Sequence, residues 1–217
     1  MSLSPDLAAW RKAERERLLA AREAMPEAVR RSKNERITRF LIDGFPCLRG
    51  RSVGFCWPYK AEPDVRFAIR HFRDLGSTAA LPVVVTRAAP LEFREWWPGV
   101  ATTPGVFDLP VPVSSVVQPA ALLVPPVGFG SRGFRLGYGG GYFDRTLAAL
   151  APRPLAIAIA FEISRMQTIH PQPHDVPMDF IVTEDGVSSV TDAGLVPIAD
   201  AAEVNERAER IMRDRGL

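Results

Sequence analysis

Cysteine is scarce in these 217 residues: Cys47 and Cys56 lie nine positions apart, with no CxxC pair and no Cys/His cluster near them. That excludes a disulfide framework and a structural zinc site, and leaves two buried or half-buried thiols as the ordinary reading. Lysine is nearly as rare, occurring only as Lys12, Lys33 and Lys60, so arginine carries most of the basic character. With 27 Lys and Arg against 25 Asp and Glu, the formal charge is only +2. So even a balance, with no basic patch and no amphipathic anchor, argues against nucleic acid or a membrane surface as partner. No apolar run is long enough to cross a bilayer and the N-terminus is polar and charged, so a soluble, cytoplasmic chain is expected. A Gly-Lys-Ser/Thr phosphate loop is missing too, and Gly137, Gly139 and Gly140 or Gly141 do not have the dinucleotide-fingerprint spacing.

What is present is a hydrophobic content of 47%, enough to bury a core as one domain with an appendage. Residues 6 to 24 have the pattern of an amphipathic helix, interrupted by Pro26, and a second helix is expected from 27 to 41. Apolar stretches at 52–57, 78–85, 121–125, 154–161 and 180–183 read as strands, with a helix expected over 62–75 after the first. The segment 91–97 alternates as a half-exposed strand would, and 201–213 reads as a charged C-terminal helix. Helices alternating with mostly apolar strands predict an α/β domain with a largely parallel sheet.

The densest signal is the run from Gly133 to Leu147. It places five glycines, Arg135, Tyr138, Tyr142, Phe143 and Asp144 between an apolar strand and a helix start. Glycines leave backbone N–H groups uncovered, and a helix start adds the positive end of its dipole, so this arrangement suits a phosphate. On composition alone it is equally a glycine-rich surface turn, and Asp144 has the alternative reading of an ordinary acid at a helix N-terminus.

The string Arg135-Leu-Gly-x-Gly-x-Gly-Tyr-Phe-Asp144 resembles the signature of the 5-formyltetrahydrofolate cyclo-ligase family, also called methenyltetrahydrofolate synthetases. A second block, His170 to Glu184, is similar to that family's Pro-x-x-x-His-Asp-x-x-x-Asp-x-Ile-x-Thr-Glu pattern. The resemblance runs over about residues 8 to 185, which predicts a cyclo-ligase-like domain over 1–185 and a C-terminal appendage over 186–217. It implies a three-layer α/β/α fold related to the ribose-phosphate isomerase and CoA transferase group. The reaction it implies is ATP-driven closure of 5-formyltetrahydrofolate to 5,10-methenyltetrahydrofolate, with Mg²⁺ as cofactor. Reduced folate and ATP are then the expected partners, and a monomer the expected state.

On this resemblance Arg11, Lys12, Arg15 and Arg135 neutralise phosphate, although Arg11, Lys12 and Arg15 read by themselves as a solvated helix face. Gly137, Tyr138, Gly139, Gly140, Gly141 and Tyr142 complete the ATP site, and Asp144 and Asp179 hold Mg²⁺. Glu62 contacts the folate near its formyl group, though by itself it reads as helix-start punctuation, and Trp57 and Phe143 complete the folate pocket. Glu62 and Arg135 are the expected catalytic pair. Departures from the family pattern fall at Val65, Asp108, Leu109, Gly130, Phe143 and Ser164. They leave two alternatives open: a relative that binds folate or nucleotide without closing the ring, and an ATP-dependent ligase for another small molecule.

Overall fold

A computed structural model describes residues 5–106 and 109–217, so Asp108, one of the departures from the family pattern, lies outside the described residues. In chain order the elements are helices α1 (Pro5–Glu23) and α2 (Glu27–Gly44), strand β1 (Ser52–Phe55), helix α3 (Arg66–Asp74), then strands β2 (Thr78–Val83), β3 (Glu92–Trp96), β4 (Thr102–Pro104) and β5 (Pro110–Pro112). Strands β6 (Ala121–Val124), β7 (Gly128–Gly130) and β8 (Arg135–Leu136) lead to helix α4 (Tyr142–Ala149). Strands β9 (Leu155–Ile159), β10 (Arg165–Met166), β11 (Phe180–Thr183), β12 (Gly186–Thr191) and β13 (Gly194–Ile198) follow, and helix α5 (Ala201–Arg215) closes the chain.

The main sheet runs β13-β12-β11-β9-β6-β1-β2-β3. Its five inner strands are parallel, and antiparallel pairs finish both edges. Strand β9 is buried at every residue, as a parallel strand covered on both faces must be. Leu155, Ile157 and Ile159 face a layer built from α2, α3 and α5, whereas Ala156 and Ala158 face the layer containing Leu147 of α4. The expected three-layer α/β/α architecture is therefore the observed one.

At β1 the pleat alternates Val53 and Phe55 toward the first layer with Gly54 toward the second. A Cβ at Gly54 would stand 2.5 Å from Leu122 Cδ2 and 2.9 Å from Phe93 Cε1. Gly54→Ala is therefore expected to lower stability by about 1–3 kcal/mol, the usual range for overpacking a filled core. Urea unfolding checks this, and a loss under about 0.5 kcal/mol would mean that Leu122 and Phe93 move aside freely.

Two expectations change. The helix expected from 62 begins at Arg66, because Pro63 disfavours helical backbone at Glu62, and Lys60 and Ala61 adopt positive φ of 46° and 54° just before it. Glu62 is thus presented from an irregular segment and caps no helix. The segment after 185 also continues the body of the fold: β12 pairs with β11, while Val187, Ile198, Val204, Ala208 and Met212 belong to the main core. Helix α1 stands outside the three layers. Its Leu18 packs on Val127, Leu136, Met166 and Ile169, over the small sheet β10-β7-β8 beside the carboxyl ends of the parallel strands.

Candidate active site

The chain leaves β1 to build β2 on one side, while β6 pairs on β1's other side. Between the carboxyl ends of two such strands neither crossover covers the crevice, and ligands collect there in open α/β sheets. A pocket of about 260 Å³ occupies this position. Its apolar walls include Trp57, Leu91, Leu109, Val111 and Phe143, and its polar groups are Glu62, Arg135, Tyr138 and Asp144.

The glycine loop forms one end. Gly139 has φ of 100° and Gly141, which precedes α4, has φ of 63°, both in the left-handed region that favours glycine. Arg15 Nε donates to Gly137 O at 2.7 Å, and the Arg15 guanidinium lies 3.6 Å from where a Cβ on Gly139 would be. From the other side Arg145 Nη1 donates to Gly140 O at 2.6 Å. Burial, and then the nearby charge of Arg11, lower the Arg15 pKa, as expected for a cation short of anionic company. Two guanidinium groups therefore bond carbonyls of the glycine loop beside a helix start.

Arg135 and Asp144 form the rim. Arg135 Nη2 donates to Asp144 Oδ1 at 2.9 Å, and its Nη1 to Val176 O at 2.7 Å. The Val176 N–H donates to the same Asp144 oxygen at 3.0 Å, leaving Oδ2 out of both bonds. Arg135 is deeply buried, and desolvation lowers its pKa against the pull of Asp144. Tyr142 lines the pocket next to Asp144, and its ring would meet any Cβ placed on Gly140 at 2.8 Å.

Glu62 forms the other end, buried at 4% exposure. Its Oε1 accepts from the Tyr138 hydroxyl at 2.7 Å and its Oε2 from the Tyr59 N–H at 3.0 Å. Burial pushes the carboxyl up to about 7, against the opposing pull of the Tyr138 hydrogen bond and the Arg22 charge. Trp57 has the Arg66 guanidinium 4.8 Å from its ring centre and Trp96 at 5.8 Å edge-on, and both contacts fix its indole.

Three expected residues lie elsewhere. Arg11 is buried and turns away from the glycines, donating to Ile169 O at 3.2 Å, His170 O at 2.9 Å and Asp175 Oδ2 at 2.7 Å, so it anchors the 169–175 loop. Lys12 is exposed at 77% and lies 3.8 Å from Glu16 on its own helix. Asp179 is not gathered with Asp144. It precedes β11, at the amino ends of the parallel strands, where Arg215 binds both its oxygens at 2.8 and 2.6 Å and the Ala156 N–H donates at 2.8 Å. The expectation that Asp179 meets Glu62 and the glycine loop is corrected by strand direction: the residue before a parallel strand is at the opposite edge from the residue after it.

Sequence reading missed Arg22 and Arg145. At about 100° per residue, positions 11, 15, 18 and 22 fall within about 60° of one another on α1, and the apolar Leu18 among them marks that face as the buried one. Arg22 donates to Tyr138 Oη at 2.7 Å and is 1% exposed.

A family profile for the 5-formyltetrahydrofolate cyclo-ligases matches residues 7–184. The chain belongs to this family. A 5-formyltetrahydrofolate cyclo-ligase of Mycolicibacterium smegmatis is 32% identical over 175 residues, spanning 76% of this chain and 89% of that protein. A Mycoplasma pneumoniae protein of the same name is 36% identical over 63 residues, spanning 29% of this chain and 38% of that protein. Among solved structures, the 5,10-methenyltetrahydrofolate synthetase of Aquifex aeolicus superposes with a TM-score of 0.73 at 24% identity, covering 87% of this chain and 97% of that one. The synthetase of Mycoplasma pneumoniae gives 0.67 at 23%, covering 80% and 98%. At those identities the superpositions speak for the fold alone.

Within the cyclo-ligase frame the departures separate by place. Leu109 and Phe143 line the pocket. Val65 packs in the main core, Ser164 is buried in a turn of 3-10 helix, and Gly130 lies in β7 with Ile169 and Thr168 against it. Val65, Gly130 and Ser164 therefore alter packing and leave the described walls of the pocket untouched. Among the described residues no group of three or more His, Cys, Asp or Glu side chains could hold a metal ion, and no helix is long and apolar enough to cross a membrane.

Proposed function

We propose that the chain closes 5-formyltetrahydrofolate to 5,10-methenyltetrahydrofolate in an ATP- and Mg²⁺-dependent reaction that releases ADP and phosphate. The observation that carries this reading is a single pocket with two unlike ends. An aromatic-walled cleft beside a buried carboxylate suits a flat heterocycle, and glycine peptide under Arg15 and Arg145 suits a polyphosphate. A formamide oxygen is a poor leaving group, so the two substrates must meet. The formyl oxygen attacks the terminal phosphorus and ADP leaves. N10 then attacks the formyl carbon, phosphate departs carrying the former formyl oxygen, and the proton on N10 is lost. Nothing in this sequence needs a protein nucleophile; it needs alignment and neutralised charge.

Arg15 and Arg145 hold phosphate oxygens, and Arg135 acts by fixing Asp144. Trp57 and Phe143 flank the pterin ring, and Glu62 accepts a hydrogen bond from the N10 amine, aligning it with the formyl carbon. Mg²⁺ takes few carboxylates and keeps phosphate oxygens as ligands, so Asp144 through its second oxygen fits as the protein's contribution, while Asp179, closed by Arg215, does not. The ion would supply charge neutralisation on the transferred phosphoryl group.

Mixing the protein with 5-formyltetrahydrofolate and Mg-ATP is expected to raise the near-ultraviolet absorbance of methenyl-folate, and nucleotide binding without that product would overturn the proposal. The pH dependence has a definite sign. Glu62 offers both oxygens as acceptors only when ionised, so kcat/KM should fall below about pH 7 as the carboxyl takes up a proton. A profile flat from pH 5.5 to 8 would remove Glu62 from the working set.

A further inference from the structure

Arg22 is the buried charge that the proposed reaction leaves without work. Its Nε donates to Lys60 O at 2.9 Å and its Nη1 to Pro126 O at 3.2 Å, so one guanidinium joins the chain just after β1 to the chain just after β6. Its Nη2 donates to the Tyr138 hydroxyl at 2.7 Å, and Glu62 Oε1 is 3.9 Å from that nitrogen. A guanidinium can only donate, so the Tyr138 oxygen must accept from Arg22 and its one hydrogen is left for Glu62 Oε1, 2.7 Å away. The relay therefore has a fixed polarity from Arg22 through Tyr138 to Glu62. Tyr138 is 39% exposed and lines the pocket, while its hydroxyl reaches the two buried side chains.

We propose that Arg22 is a positioning residue for ring closure, acting through Tyr138 to hold Glu62 as an ionised acceptor at the edge of the folate pocket. This rests on the function proposed above. A carboxylate has about four lone-pair sites, so Glu62 can accept from Tyr138, from the Tyr59 N–H and from a substrate amine together. A protonated Glu62 would instead present a donor to an amine that is itself a donor. The groups facing Glu62 are Arg22 from α1, Tyr138 from the glycine loop, and Tyr59 and Cys56 from the segment after β1. The Cys56 thiol is pushed well above its ordinary range by burial and by Glu62 and stays neutral, and the Lys60 ammonium lies over the Tyr59 ring at 5.7 Å. Arg22 is thus the cation placed to offset the desolvation of Glu62. Losing either relay partner leaves burial less opposed, and the carboxyl moves further up.

The test uses Arg22→Met, Arg22→Lys and Tyr138→Phe in the full chain. In Arg22→Met and Tyr138→Phe the acid limb of kcat/KM for 5-formyltetrahydrofolate is expected to move up by about one pH unit, with about a tenfold loss at pH 6, while KM for ATP in Arg22→Met stays within about twofold. Arg22→Lys, which keeps the charge, should lie between Arg22→Met and wild type. Should Arg22→Met fail to fold, Tyr138→Phe decides alone, because it leaves Arg22 its two carbonyl partners. The ¹³C resonance of the Glu62 carboxyl, assigned by its disappearance in Glu62→Gln, reads the same titration without turnover. Product formation by the wild type thus tests the function, and the position of the Glu62 titration tests the relay. An unmoved titration in Tyr138→Phe, or a KM for ATP in Arg22→Met that rises in step with the loss, overturns the inference.

Discussion

Asp144→Asn is expected to lower the Mg-ATP-dependent ring-closure rate by about 10²-fold or more while leaving the chain folded. The two effects separate because the two oxygens of Asp144 do different work. Oδ1 faces inward and takes bonds from Arg135 and the Val176 N–H, whereas Oδ2 is engaged by neither. Asparagine keeps one oxygen for Arg135 and Val176 and replaces the other with an NH₂ group, which cannot ligate a hard cation. Asp144→Ala removes both oxygens and strands a deeply buried guanidinium. Losing a partner of a buried pair typically costs about 3–5 kcal/mol. Asp144 is one-fifth exposed and Arg135 keeps its bond to Val176 O, so about 2–3 kcal/mol is the better expectation. For a chain of this size that is a fall in Tm of about 4–12 °C. Thermal unfolding and initial rates across a Mg²⁺ titration check both variants. Near wild-type turnover in Asp144→Asn would remove the metal role, and an equal Tm loss in both variants would show that the amide fails to keep the inward bonds.

How far the sequence foretold this site depends on how far apart its parts lie. The glycine loop was legible because Gly137 to Asp144 are consecutive, so a single stretch shows strand end, bare peptide and helix start together. Glu62, which lines the pocket, was legible as a candidate but not in its setting. The string Lys60-Ala61-Glu62-Pro63 hides a positive-φ bend, and the helix that Pro63 seemed to open begins three residues later. On α1, Arg11 and Arg15 looked alike at i and i+4, yet the loop 169–175 captures Arg11 and only Arg15 reaches the glycines. No local rule separates them, since the difference is made by residues more than 120 positions away. Arg22 was within reach of a period-3.6 reading anchored on Leu18. The C-terminal helix was legible as an element, but that it grips the sheet through Arg215 was not.

That grip leads to the second large effect. Asp179→Ala is expected to lower stability by about 3 kcal/mol, a fall in Tm of about 6–12 °C, with no change in the Mg²⁺ concentration needed for half-maximal turnover. Asp179 is mostly buried, Arg215 holds it by two bonds, and Arg153 Nη2 lies 3.6 Å from its Oδ1. Removing the carboxylate leaves two guanidinium groups facing each other over the start of β9, where the Ala156 N–H also loses its acceptor. The loss should appear first in α5, because Arg215 is in that helix's last turn and also donates to Pro154 O at 3.0 Å. Amide exchange over 201–215 should therefore quicken in Asp179→Ala and in Arg215→Ala alike, while exchange in α4 and the glycine loop stays near wild type. A rise of tenfold or more in the Mg²⁺ requirement of Asp179→Ala, measured well below its Tm, would return Asp179 to the metal site and mean that Arg215 releases it when nucleotide binds. The opposite result makes the carboxylate a clasp between the C-terminal helix and the sheet. In that case the 30-odd residues beyond the family match hold the edge of the sheet farthest from the chemistry, and Asp144 remains the carboxylate at the nucleotide end of the pocket.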